Sequence, residues 1–94
     1  MKFPIVIKAD YVIYLEWWDG VYWFHTDVVR WSSKVKSEML LDLRKLVDLV
    51  RIPLRALVEA ENLKLQKFGD CLGWVVEMEI TLKDGSEAFV YKWS

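Results

Sequence analysis

His25 is the only histidine of the chain, and histidine is the side chain whose ordinary pKa lies closest to neutral pH. A general base works best beside a carboxylate that orients it, and a hairpin through this region would bring Glu16 to His25. Cys71 is the only cysteine. As a nucleophile it would need His25 as its base, and nothing in the sequence places the two together. The plainer expectation for Cys71 is a small, buried or half-buried thiol. One histidine and one cysteine give no metal-ligand spacing, so no metal site is expected. No Walker-type loop, nucleophile elbow or dinucleotide fingerprint occurs.

A second group is Ser32, Ser33, Lys34, Lys36 and Ser37, at the start of an apolar run with helical spacing. Lysines at a helix start oppose its dipole, at a cost of roughly 0.3–1 kcal/mol. A bound anion would relieve that conflict through free N–H groups, hydroxyls and ammoniums, which makes this a candidate phosphate or CoA-like site. The alternative is a solvated basic cap on a helix held by its packing.

A third group is aromatic. Asp19-Gly20 between Tyr11–Trp18 and Val21–Thr26 is a strong hairpin signal. A two-residue turn sets Trp18 opposite Val21, Glu16 opposite Trp23 and Tyr14 opposite His25. One face then carries Ile13, Leu15, Trp17, Tyr22 and Phe24, and is expected to meet the core. The other carries Tyr14, Glu16, Trp18, Trp23 and His25. That face has three readings: ordinary core under another element, a protein interface anchored by Tyr14, Trp18 and Trp23, or a catalytic surface using Glu16 and His25.

The elements that hold these groups follow from periodicity. Phe3 to Lys8 reads as a strand, with Pro4 near its start. Ser32 or Ser33 caps a long helix whose apolar stripe is Val35, Met39, Leu40, Leu43, Leu46, Val47 and Val50. Asp42, Arg44, Lys45, Asp48 and Arg51 are expected mostly on its opposite side, and Pro53 stops it. Leu54 to Val58 reads as a strand, and Asn62 caps a short helix ending between Phe68 and Leu72. Trp74–Leu82 and Glu87–Trp93 form a second hairpin around Asp84-Gly85. A two-residue turn there pairs Glu77 with Lys92 and puts Val76, Met78, Ile80, Leu82, Phe89, Tyr91 and Trp93 on one apolar face. The class is α+β, a mostly antiparallel sheet with one long amphipathic helix and one short helix, in a single domain spanning 1–94.

With 94 residues, 54% hydrophobic and 29% charged, the chain has room for one core, and disorder is not expected. Thirteen basic and 14 acidic side chains leave a net charge of -1, so no global basic excess favours nucleic acid. A single cysteine suits a reducing compartment, and no apolar stretch approaches the ~20 residues of a membrane span. A cytoplasmic protein is the expectation.

The order of elements resembles the second half of the GNAT acyltransferase superfamily. The likeness is sharpened at Val58-Glu59-Ala60-Glu61-Asn62, which matches a V-x-x-x-N strand end. In the following stretch Asn62, Phe68, Leu72, Gly73 and Trp74 fall in register with N-x-x-A-x-x-L-Y-x-x-x-G-F. The resemblance covers residues 26–93, and the small size and the ending from Asp84-Gly85 to Trp93 resemble GNAT-like proteins of bacteriophages. It implies a helix-start turn rich in glycine for the CoA pyrophosphate, yet Val35 and Ser37 stand at the glycine positions. It implies a tyrosine acid in the short helix, yet Gly69 stands there. The expectation is therefore a domain that has lost acetyl transfer and binds a protein, with no cofactor. Under the phage resemblance that protein is a host or virion component. One alternative is a minimal acyl-CoA-dependent N-acyltransferase with acetyl-CoA at Ser32, Ser33, Lys34, Lys36 and Ser37. Another is a self-associating structural protein, with a homodimer as its form.

Overall fold

A computed structural model describes residues 1–94. It contains six strands and two helices, the α+β composition that the periodicity predicts. The chain falls into two compact units, Met1–Leu54 with Ser94, and Arg55–Trp93.

The first unit is an antiparallel meander, β1 (Lys2–Ile7), β2 (Tyr11–Trp18) and β3 (Val21–Val28), followed by α1 (Ser33–Val50). Asp19 (φ 53°) and Gly20 (φ 79°) both adopt the left-handed region, as a two-residue type I′ turn requires. The register is the expected one throughout, from Trp18 opposite Val21 to Tyr14 opposite His25. Tyr11, Ile13, Leu15 and Phe24 on the strands are buried, as are Val35, Met39, Leu43 and Leu46 on α1. Each such aliphatic or aromatic burial contributes roughly 1.5–3 kcal/mol. Ser32 caps α1, its Oγ accepting the Val35 N–H at 3.1 Å. The helix ends at Val50, and Arg51 turns into the left-handed region with its N–H donating to the Val47 carbonyl at 2.8 Å.

Asp42 corrects the expectation for α1. It is buried rather than turned outward. Positions 35, 39, 42 and 46 form one i, i+4, i+7, i+11 stripe, so the helix must bring a carboxylate inward with its apolar neighbours. Two groups meet that carboxylate at one oxygen. The Tyr11 hydroxyl donates to Oδ2, and Lys8 Nζ lies 2.9 Å from the same oxygen. Burial, then the bond to Asp42, pushes the Tyr11 phenol up to about 12. The bond to Asp42 likewise raises the Lys8 ammonium above its ordinary value.

The second unit holds β4 (Leu54–Glu59), α2 (Leu63–Cys71), β5 (Val75–Thr81) and β6 (Glu87–Trp93), hydrogen-bonded in the order β4-β6-β5. Asn62 caps α2 by accepting the Leu65 N–H at 3.0 Å. The second hairpin departs from expectation. Leu82 N–H donates to the Ser86 carbonyl, which closes a loop of Lys83, Asp84 and Gly85, and only Gly85 (φ 86°) is left-handed. One extra loop residue slips the register by one, so Met78 faces Val90 and Ile80 faces Ala88. A bulge between Val76 and Met78 then shifts the pairing by one residue more, so that Val76 faces Tyr91 and Val75, not Glu77, faces Lys92. Glu77 turns instead to Arg55, with Nε to Oε1 at 2.9 Å.

The expected single apolar face is therefore divided. β6 lies between β4 and β5 and buries Ala88, Val90, Tyr91 and Trp93, whereas Val75, Val76 and Met78 on β5 are exposed. Leu72 and Trp74 complete the buried set around α2, and Trp93 Nε1 donates to the Leu72 carbonyl at 2.8 Å.

β1 and β5 each have a strand neighbour on one side only. Both carry features that blunt edge pairing. β1 has Pro4 and a register shift between Pro4 and Val6, and β5 has the bulge at Glu77.

Candidate functional site

Directly opposed residues of an antiparallel pair share a face. Hence Tyr14 with His25, Glu16 with Trp23, and Trp18 with Val21 form one surface of the first hairpin. β1 extends it, with Lys2 opposite Glu16 and Pro4 opposite Tyr14. Trp18 is 63% exposed, and Tyr14, Glu16, Trp23 and His25 are half-buried. Within this chain the face is therefore partly covered and not fully buried core.

His25 Nε2 lies 3.0 Å from Glu16 Oε1, so the expected acid–base pair is formed. The chain's amino group stands 3.5 Å from Glu16 Oε2. The hydrogen bond from His25, then the positive amino terminus, holds the Glu16 carboxyl below the usual range. Tyr14 donates to Asp27 Oδ2 at 3.0 Å, and Lys2 Nζ sits 5.3 Å from the Tyr14 ring centre. The acceptor carboxylate raises the Tyr14 phenol. Trp23 Nε1 donates to the Trp18 carbonyl at 3.2 Å, which fixes the indole beside Trp18. The two indoles lie 6.4 Å apart at 52° and open as a wedge.

The opposite face near the turn corrects a second expectation. Trp17 is 56% exposed rather than core, and it meets Tyr22 edge-on at 4.7 Å. The buried rows end at the Leu15–Phe24 pair, one row short of Trp17–Tyr22. Sequence reasoning missed Lys2 as a member of the site because the β1–β2 register has no turn signal to fix it.

At the start of α1 the hydroxyls are largely committed. Ser32 Oγ caps Val35, and Ser37 Oγ donates to the Ser33 carbonyl at 3.1 Å. Ser33 and Lys34 are exposed, Lys36 is half-buried, and the first turn has no acidic residue. Val35, at a position where the resemblance implies glycine, is a core residue only 1% exposed. In the second unit Gly69 lies against Trp74 and Tyr91, where a Cβ would sit 3.6 Å from Trp74 Cβ. Burial raises the Tyr91 phenol, with Asp70 adding to the effect. Cys71, expected at least half-buried, is exposed at the end of α2, because this helix buries none of its residues. No cluster of three or more potential metal ligands is present, and no helix is long and apolar enough to cross a membrane.

Known structures share this fold. A protein assigned to the GNAT acetyltransferase family from Bordetella pertussis superposes with a TM-score of 0.66 at 14% identity, over 90% of this chain and 57% of that one. The fold is GNAT-like. A second GNAT-like neighbour, a protein assigned as an acetyltransferase from Sphaerobacter thermophilus, gives a TM-score of 0.50 at 9% identity, over 92% of this chain and 61% of that one. The GNAT-like chain thus spans about three fifths of each neighbour's length. No protein-family model and no curated protein sequence matches it.

Proposed function

We propose that this GNAT-like domain works by binding a protein partner through Tyr14, Trp18 and Trp23, and does not transfer acetyl groups. The observation that carries the reading is Trp18, 63% exposed beside an indole already fixed by its own hydrogen bond. Trp23, held by its own hydrogen bond, has less ordering entropy to lose, and exposed tryptophans such as Trp18 are among the residues that anchor interfaces at about 2 kcal/mol or more. The substitutions at the family's chemical positions agree with it. Val35 serves packing and Gly69 has no proton to donate. The guarded edges of β1 and β5 favour contact through side chains over strand pairing, which also weighs against a homodimer built edge to edge.

Cross-linking of the full chain in its native extract, compared with Trp18→Ala, tests the proposal. A partner that is captured by the native chain and lost from the variant is the expected result. Capture of the same partners by both, together with measurable acetyl transfer, would contradict it.

A minimal acyl-CoA-dependent N-acyltransferase is the second reading. The acid-free first turn of α1 with exposed Ser33 and Lys34 favours it, with Glu16 or His25 as base. It requires that Lys34→Glu with Lys36→Glu abolish acetyl-CoA binding while the circular dichroism spectrum is retained. Unchanged affinity in that double variant sinks it.

A further inference from the structure

The hairpin's own charge is one-sided. Between Tyr11 and Val28 the hairpin carries Glu16, Asp19 and Asp27 and no lysine or arginine. Its surroundings already hold two of the chain's own cations. The Lys2 ammonium lies 5.3 Å from the Tyr14 ring centre, and the amino group of Met1 lies 3.5 Å from Glu16. Both cations belong to exposed residues at the end of β1, and each contacts one of the two kinds of group that attract positive charge, an aromatic face or a carboxylate. The Trp18–Trp23 wedge combines both kinds. Glu16 stands directly across the strand pair from Trp23, and Asp19 follows Trp18 in the turn. No cation of the chain is recorded on either indole.

We infer that the wedge of Trp18 and Trp23, with Glu16 beside it, receives an arginine or lysine side chain from a basic segment of a partner protein. The inference rests on the proposed binding function and names the chemistry of the partner. A planar guanidinium stacks on indole while donating to a carboxylate, so arginine fits best. An apolar partner would have to desolvate the carboxylates of Glu16, Asp19 and Asp27 and offer them no new partner, and an acidic one would be repelled. A lipid surface that took up the hairpin tip would have to desolvate Asp19.

Tryptophan fluorescence of the full chain, titrated with a synthetic peptide of arginines interspersed with glycine and serine, tests the inference. The control peptide replaces every arginine with citrulline, which keeps the shape and removes the charge. The arginine peptide is expected to bind at least about tenfold more tightly than the citrulline peptide, and Trp18→Ala and Glu16→Gln are each expected to weaken it several-fold. Equal binding of the two peptides overturns the inference, as does undiminished binding by Trp18→Ala. A fluorescence shift with phosphatidylcholine vesicles and none with the arginine peptide also overturns it. The peptide comparison needs no variant, so a misfolded substitution leaves it decisive. A native partner lost with Trp18→Ala but indifferent to competition by the arginine peptide ends this inference and leaves the proposed function standing. Arginine-specific binding at Trp18 with no Trp18-dependent partner does the reverse.

Discussion

Two hairpins of this chain turn on the same dipeptide, and they are built differently. At Asp19-Gly20 both residues enter the left-handed region and the turn has two residues. At Asp84-Gly85 only the glycine does, and Lys83 joins the loop. The residue after the glycine separates the two cases. Ser86 donates its N–H and its hydroxyl to Asp84 Oδ1, at 2.9 and 2.6 Å, and so ties the aspartate across the turn. Val21 has no hydroxyl to do the same. The consequences run the length of each strand pair. The first hairpin keeps one register to its end and leaves four aromatics at its tip. The second slips by one, bulges at Glu77, and buries Ala88, Val90, Tyr91 and Trp93 of β6. The first is shaped to present side chains, and the second is shaped to pack them.

The largest test of that contrast is deletion of Lys83. A two-residue loop would force the slipped register back and turn Ala88 and Val90 away from their present neighbours. The expected loss is about 3 kcal/mol or more in urea unfolding. An unchanged midpoint would show that loop length does not set this register.

Next in size is Asp42→Ala, which strips the partner from a buried phenol and an ammonium where β2 meets α1. The expected loss is about 2–4 kcal/mol. The same linkage has an alkaline signature. A phenol whose pKa is raised by folding contributes stability that is complete below its ordinary value of 10.0 and lost as pH rises through about 12. Unfolding in strong alkali should therefore steepen over that window in the native chain and not in Tyr11→Phe. Identical profiles would remove Tyr11 from the account.

Ser86→Ala is expected to cost about 1 kcal/mol, with no counterpart for Val21→Ala beyond lost packing. The bonds from Ser86 also hold the Asp84 carboxyl below its ordinary 3.8. A carboxyl lowered by folding contributes stability that is present above its ordinary value and lost as pH falls through the folded one. NMR titration should therefore show Asp84 moving up toward 3.8 in Ser86→Ala. A carboxyl that stays depressed would place the cause elsewhere. The smallest stability effect belongs to Trp18→Ala, within about 0.5 kcal/mol for so exposed a side chain. Its expected effect on partner binding is the largest of the set.

Much of the fold was legible in the residues. Alternating faces mark the four hairpin strands, helical spacing marks the long helix, Ser32 and Asn62 mark the caps, and the Asp19-Gly20 register places Glu16 beside His25. The errors have a common physical origin. Apolar pattern reports that a side chain prefers burial, whereas the extent of the covering element decides whether it is buried. Trp17 and Met78 lie beyond that cover. Asp42 was misjudged by polarity, although its spacing from Met39 and Leu46 places it in the buried stripe. The slip in the second hairpin turned on Ser86, a residue outside the dipeptide that signals the turn.

The function proposed for this GNAT-like domain is partner binding without use of acetyl-CoA. Calorimetric titration of the full chain with acetyl-CoA tests it most directly. The account predicts no saturable heat up to about millimolar, an affinity no better than roughly 4 kcal/mol. Saturable binding at micromolar acetyl-CoA, lost in the Lys34→Glu, Lys36→Glu double variant, would contradict it.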